Sequence, residues 1–262
     1  SIPQGIAAVK LMGRKYGFDV DTTENAERFN EANLKRYKVV VFMSTTGDVL
    51  NDRQQADFER YIQAGGAYAG LHAAADTEYD WPWYGKLVGG YFASHPGNPN
   101  VQNGTMTVVN KNFPATDSLP NTFVKKDEFY DFKQFNPDVK VLVTVDEKTY
   151  KDGKMGDYHP MSWYHEYDGG RVFYTNFGHT EETFMEPIFL QHFWGGLRWA
   201  AGGKPLDYAK ARTLRAPEDN RFTREVLHER LDEPTELAVF DNGKVIFVER
   251  KGNVRVYDPT KK

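Results

Sequence analysis

Two histidines stand directly behind strand-like segments. His72 follows Ala67-Tyr68-Ala69-Gly70-Leu71 without a gap, and His179 comes four residues after Arg171-Val172-Phe173-Tyr174-Thr175. Imidazole titrates closest to neutral pH, so such a pair suits proton transfer or ligation of a divalent metal. Asp48 lies just beyond the apolar run Val39–Met43, and Asp76 lies one turn past His72, where it can orient that imidazole. His95 sits in the loop Ser94-His95-Pro96-Gly97, too polar and broken for a core. Asp127-Glu128 interrupts an otherwise aromatic stretch with Tyr130 close by. Adjacent strand residues point to opposite faces, so only one of these two carboxylates can reach a common site. Trp163 and His165 share a parity and therefore a face.

Each of these features also has a plain structural reading. A histidine at a strand end is often a hydrogen-bonded loop residue, and Asp127-Glu128 can be a solvated pair. Asp76 can cap the turn. His159, His192 and His228 read as structural or surface residues. Trp81, Trp83, Trp194 and Trp199 read as packing, because large rings dominate core burial. Gly89-Gly90 lacks the spacings of a phosphate loop.

The elements that must carry these residues can be read from patterning. Val39–Met43 is a continuous apolar run, as expected of a buried parallel strand. Asn51 is placed as the N-cap of a helix over about 52–63 that Gly65-Gly66 stops. The strand 67–71 completes a βαβ unit. A helix is expected over 5–16 and a short strand at 18–20. Further strands are expected at 105–109, 123–130, 139–145, 161–167 and 171–175, then an aromatic-rich helix over about 182–200. Alternating elements of this kind predict an open α/β sheet. In such sheets ligands bind beyond the carboxyl ends of the strands, which is where His72, His179 and Asp48 fall. Residues 204–221 mix charge and proline and read as a linker. Residues 222–262 hold three short strand patterns around Asp241-Asn242-Gly243 and Lys251-Gly252-Asn253, a β-meander.

Composition removes whole classes of function. The chain has 262 residues and no cysteine, which excludes disulfides, cysteine-ligated metals and a thiol nucleophile. With 33 Lys+Arg against 37 Asp+Glu, the net charge of −4 and the lack of a basic block argue against a nucleic-acid partner. No apolar run approaches the roughly 18 residues of a membrane span.

The segments Gly66–Thr77, Tyr84–Phe92 with His95-Pro96, Pro160–Trp163 and Gly170–His179 together resemble the trehalose-utilisation (ThuA-like) family over about residues 1–203. That family is similar to class I glutamine amidotransferases, whose nucleophilic cysteine sits in a G-x-C-x-G elbow. Here the matching stretch is Gly70-Leu71-His72-Ala73-Ala74, so His72 stands in the cysteine's place and His179 falls near the amidotransferase histidine. The resemblance implies the flavodoxin-like fold of those enzymes, a mostly parallel α/β sheet with flanking helices, but not glutamine hydrolysis. Residues 223–259 resemble the opening blade of glucose/sorbosone dehydrogenase-like propellers, which implies continuation into a propeller and a periplasmic or secreted setting. Family members usually start with a strand and an Arg-His loop that precede the part matching Ser1-Ile2-Pro3, so the first strand is expected to be missing here.

The implied function is chemistry on a trehalose-type sugar or keto-glycoside, an isomerase, lyase or hydrolase type of reaction. His72 or His179 would be the base, and Asp76 or Glu128 would orient or protonate. His95, Tyr130, Asp48 and Trp163 would contact substrate, Trp163 as an apolar sugar face. No organic cofactor is assigned, since a quinone would need further blades of the propeller. A divalent metal, if present, would be held by His72, His95 and His179. The alternative is a non-catalytic carbohydrate-binding module attached to the propeller.

Overall fold

The computed structural model describes residues 1–217 and 221–261. The chain separates into two compact units, Ser1–Arg215 and Ala216–Lys262.

The first unit opens with helix α1 (Ile2–Tyr16) and the single turn α2 (Glu31–Leu34). Strand β1 (Val39–Met43), helix α3 (Asp52–Gln63) and strand β2 (Ala67–Leu71) follow. Asn51 caps α3 through a reciprocal pair with Gln54, each side chain bonding the other's backbone N–H, as its sequence position predicts. Then come α4 (Pro82–Val88), β3 (Tyr91–Ser94), β4 (Val101–Val108), β5 (Thr122–Glu128), β6 (Asp131–Lys133), β7 (Lys140–Asp146), β8 (Pro160–Tyr167) and β9 (Gly170–Thr175). Helix α5 (Pro187–Ala201) closes the series.

Seven strands form one sheet in the order β1-β2-β9-β8-β7-β4-β5, and β3 pairs with β6 separately. The pairings β1–β2 and β2–β9 are parallel, and the four from β9 to β5 are antiparallel. It follows that β1, β2, β9, β7 and β5 point one way, and only β8 and β4 run against them. The mostly parallel character thus lies in strand direction, while interleaved hairpins supply most of the neighbour contacts. Five carboxyl ends share one edge: Met43, Leu71, Thr175, Asp146 and Glu128.

Helix α5 packs on β1, β2 and β9. Gly195 and Gly196 let it approach closely, because a Cβ at either would overlap the Pro114 carbonyl or the Phe173 ring. The core is divided by the sheet. One layer holds Ala69, Leu71, Phe173, Phe189 and Phe193 with residues of α1 and β4. The opposite layer holds Phe42, Phe58, Tyr68, Val172, Tyr174 and Trp163.

Two boundary expectations change. Residues 18–20 form no strand: Phe18 and Val20 pack against the core but make no ladder. Residues 205–215, expected within the linker, are fastened to the first unit. Arg212 and Thr213 donate backbone N–H groups to Gln63 Oε1 at 2.7 and 3.0 Å, and Arg215 pairs with Glu31 and Asp57. Residues 218–220 of that linker, and Lys262, lie outside the described residues. The second unit is an antiparallel meander of β10 (Pro234–Val239), β11 (Val245–Glu249) and β12 (Val254–Tyr257), as its turn signals predict.

Candidate functional site

Strand β2 ends in a backbone elbow. His72 adopts φ 46°, in the left-handed region that non-glycine residues seldom enter, and the chain turns into a 3-10 segment over His72–Asp76. Such strain persists only where the surroundings enforce it, and it clusters at functional positions. The elbow aims the nearly buried imidazole across the carboxyl edge of the sheet. Its Nδ1 lies 2.7 Å from the carbonyl oxygen of Asn176, just past β9. A carbonyl only accepts, so Nδ1 carries a proton. The Asn176 amide nitrogen, at 3.4 Å, is too distant to compete.

Glu128 reaches this edge from the far side of the sheet. Between β2 and β5 lie five strand spacings, about 24 Å if the sheet were flat. Glu128 Oε2 nevertheless stands 3.1 Å from His72 Nε2, so the sheet curls until the end of its edge strand β5 meets that of β2, the second strand from the other edge. Gly104 marks this curl: a side chain on β4 there would meet Phe129 and Val145. His179 completes a triangle, with Nδ1 3.1 Å from Glu128 Oε2 and 3.2 Å from His72 Nε2.

Asp127 faces the other way, as strand alternation requires, and fixes the loop that carries His179. Its oxygens accept the backbone N–H groups of Gly178 and His179 at 3.0 and 3.1 Å, and the Thr183 hydroxyl at 3.1 Å. Lys125, also buried, balances the charge at 3.3 Å. Neither carboxylate is therefore solvated. The second oxygen of Glu128 accepts the Asn100 amide at 2.6 Å. Burial would raise the Glu128 carboxyl, but its contacts with the His179 and His72 imidazoles and the hydrogen bond from Asn100 outweigh it and hold the group well below the usual carboxylate range. The bond to Glu128 in turn raises the His179 imidazole, against a smaller effect of burial.

The triangle opens onto a pocket of about 490 Å³ lined by Ser44, His72, Ala73, His95, Glu128, Tyr130, His179 and the start of α1. The Tyr130 ring lies 4.3 Å from that of His72. His95 keeps its Nδ1 on the Pro96 carbonyl at 2.7 Å and stands 3.7 Å from Glu128 Oε1. Ser44, at the end of β1 in the left-handed region (φ 51°), has a buried hydroxyl without a hydrogen-bond partner among the described residues.

His72, His179, Glu128, His95 and Tyr130 are thus brought together. Asp76, Asp48 and Trp163 are not. Asp76 accepts the Tyr79 hydroxyl at 2.5 Å, and the group that orients His72 is the Asn176 carbonyl instead. Asp48 is exposed and Ser44 takes its expected place in the pocket. Trp163 is wholly buried, donating Nε1–H to the Val88 carbonyl at 2.8 Å, and offers no face to a ligand. His165 behind it bonds the Leu87 carbonyl at 2.8 Å, and burial lowers its imidazole. His159 and His192 are buried in hydrogen-bonded positions, as read from the sequence. Sequence reasoning missed Asn176, Asn100 and Ser44. The only signal for Ser44 and Asn176 was position after a strand end, and Asn100, just ahead of β4, carried none.

A histidine on a strand-to-helix elbow thus faces a second histidine and a carboxylate at the carboxyl edge of a curled, mostly parallel α/β sheet. The chain belongs to the trehalose utilisation (ThuA) family, whose model matches residues 1–200. A ThuA-like protein from Bacteroides uniformis shares 27% identity over 76% of this chain and 83% of its own, with a TM-score of 0.65. A ThuA-like protein from Parabacteroides merdae shares 20% identity over 82% and 88%, with a TM-score of 0.61. A cytoplasmic protein from Salmonella typhimurium, 13% identical over 71% and 83% with a TM-score of 0.50, shares the fold alone. No match is found among curated proteins. Family membership gives the chain a carbohydrate-related role. No helix among the described residues is long and apolar enough to cross a membrane.

Proposed function

We propose that the pocket is the active site of an enzyme acting on a sugar or keto-glycoside, with His72, Glu128 and His179 as its chemical centre. The observation that carries this reading is the convergence of three ionisable groups within 3.1–3.2 Å of one another at the floor of an accessible pocket. Grouping of perturbed titratable side chains in a cleft is the usual mark of acid–base catalysis. The pocket has the size of small-molecule sites. Its lining suits a polyhydroxylated ligand: the Ser44 hydroxyl is uncommitted, His95 is half-exposed, and Tyr130 supplies a ring edge.

In this reading a C–H or O–H beside the sugar carbonyl loses its proton to an imidazole of the pair. His179 is the more accessible of the two, and the ionised Glu128 stabilises its imidazolium. His72, its Nδ1–H locked on the Asn176 carbonyl, presents Nε2 to the same Glu128 oxygen and to His179. Incubation with a panel of glycosides and 3-keto-glycosides, with products identified by NMR, tests it. Turnover by the native protein that Glu128→Gln lowers by at least about 100-fold is expected from loss of a transition-state charge partner. Binding without turnover across the panel, unchanged in that variant, would support the accessory-module reading instead.

The meander supports a second proposal, that it is one blade of a larger propeller in an exported protein. Leu237, Val239 and Phe247 lie on one face and Ile246, Val248, Val254 and Val256 on the other, by the register of the strands. An antiparallel sheet apolar on both faces fits a blade stacked between neighbours. Size-exclusion and thermal-melt comparison with a chain extended by the following blades tests it; an unchanged meander stability would count against it.

A further inference from the structure

We infer that His72 Nε2, His179 Nδ1 and Glu128 Oε2 form a binding site for one divalent first-row transition ion, a site that deepens the reading of the pocket as an active site and rests on it for its catalytic role.

The first argument is the placement of protons. The Nδ1–H of His72 is committed to the Asn176 carbonyl at 2.7 Å, so in the neutral ring Nε2 presents a lone pair. That lone pair points at a carboxylate oxygen 3.1 Å away and at a second imidazole nitrogen 3.2 Å away. Three electron-rich atoms facing each other in a nearly buried spot repel unless something positive lies between them. An N–H on His179 Nδ1 relieves the two edges it meets and still leaves the His72 Nε2 lone pair against the Glu128 carboxylate. A cation at the centre relieves all three.

The second argument is size. For bonds of about 2.1 Å, neighbouring ligand atoms are separated by roughly 3.0 Å in an octahedral arrangement and roughly 3.4 Å in a tetrahedral one. The observed 3.1, 3.1 and 3.2 Å fall between these limits.

The third argument is the supporting shell. Metal-bound histidine characteristically gives its other N–H to a backbone carbonyl or carboxylate, and a ligating carboxylate is itself hydrogen-bonded. His72 has the Asn176 carbonyl, Glu128 has the Asn100 amide on its second oxygen, and Asp127 pins the backbone of His179. Two imidazoles and one carboxylate favour zinc, iron or manganese over magnesium or calcium, which prefer all-oxygen sites. Three protein ligands on one side leave the pocket side open, the pattern of a catalytic rather than a structural site. His95 falls outside this set, because its Nδ1 is spent on Pro96 and it approaches only the other oxygen of Glu128. A polarised sugar carbonyl or hydroxyl on the open side would be the substrate group.

The test uses the full chain purified without a histidine tag, stripped with a chelator and titrated with zinc chloride in a calorimeter. One ion per chain is expected, with affinity weakened more than about 100-fold in His72→Gln and His179→Gln and about 10-fold in Asn100→Ala. Cobalt(II) should give visible absorption bands that the two histidine variants lose. Because His72 is buried, circular dichroism accompanies each variant, and the half-exposed His179 carries the conclusion if His72→Gln unfolds. Failure to bind a stoichiometric ion, or equal binding by native protein and His179→Gln, overturns the inference. Undiminished sugar turnover by the stripped protein would sink the metal site and leave the acid–base reading standing. Stoichiometric zinc with no turnover on any sugar would do the reverse.

Discussion

The ring of His72 donates through Nδ1 to the carbonyl oxygen of Asn176 at 2.7 Å, and this one contact joins the end of β2 to the end of β9. It settles which face of the imidazole meets Glu128 and His179. The elbow backbone, the tautomer and the triangle are consequences of the same junction.

Asp127 is a positioning residue on the opposite side of the same strand end. Asp127→Ala removes the acceptor of Gly178, His179 and Thr183 and leaves the buried Lys125 ammonium with the half-exposed Glu186 as its remaining carboxylate. A loss of roughly 3–5 kcal/mol is expected from breaking such a buried pair. Pairing it with Lys125→Met should restore part of that, since no charge is then left uncompensated. Urea unfolding measures both; a loss below about 1 kcal/mol for the single variant would refute the assignment.

His192 makes the protein acid-sensitive. Burial pushes its imidazole down to about 4 from an ordinary 6.5, the bond to the Ala115 carbonyl opposing only in part. Between those values the unfolded chain binds a proton that the folded chain refuses. The contribution is fully present above pH 6.5 and is lost as pH falls toward 4, about 3 kcal/mol at 1.36 kcal/mol per unit. Replacing His192 by Gln should flatten that part of the stability–pH curve in chelator-treated protein. A curve that keeps its native slope would contradict the assignment.

Trp163 belongs to the core. Trp163→Phe removes ring volume and leaves the Val88 carbonyl without its donor, at a cost of about 2–3 kcal/mol. KM for any sugar substrate should stay within twofold. A large rise in KM with unchanged stability would return Trp163 to the pocket.

Gly195 offers a check on the packing of α5. Alanine raises helix propensity by up to about 1 kcal/mol, yet its Cβ would overlap the Pro114 carbonyl. Net destabilisation is expected in a thermal melt, and a gain in Tm would show that α5 has room to move.

His72 and His179 were legible because the carboxyl-edge rule needs only local strand ends and a shared strand direction. Glu128 was legible as a candidate, but its contact with His72 was not, since that depends on a sheet curled through four intervening strands. Asn176 acts through a backbone carbonyl, which carries no residue-type signal. Trp163 was correctly paired with His165 on one face, but parity does not say which face looks into the core. Asp48 was one loop too far: β1 ends at Met43, and the pocket takes Ser44.

The central claim, that His72 and His179 act as one centre with Glu128, is tested most directly by a double-mutant cycle on turnover. Native protein, His72→Gln, His179→Gln and the double variant are compared on one turned-over keto-glycoside. Residues acting as a unit are strongly non-additive, so each single change should cost at least about 100-fold and the double little more. Losses that multiply, or single variants that keep full activity, would contradict the account.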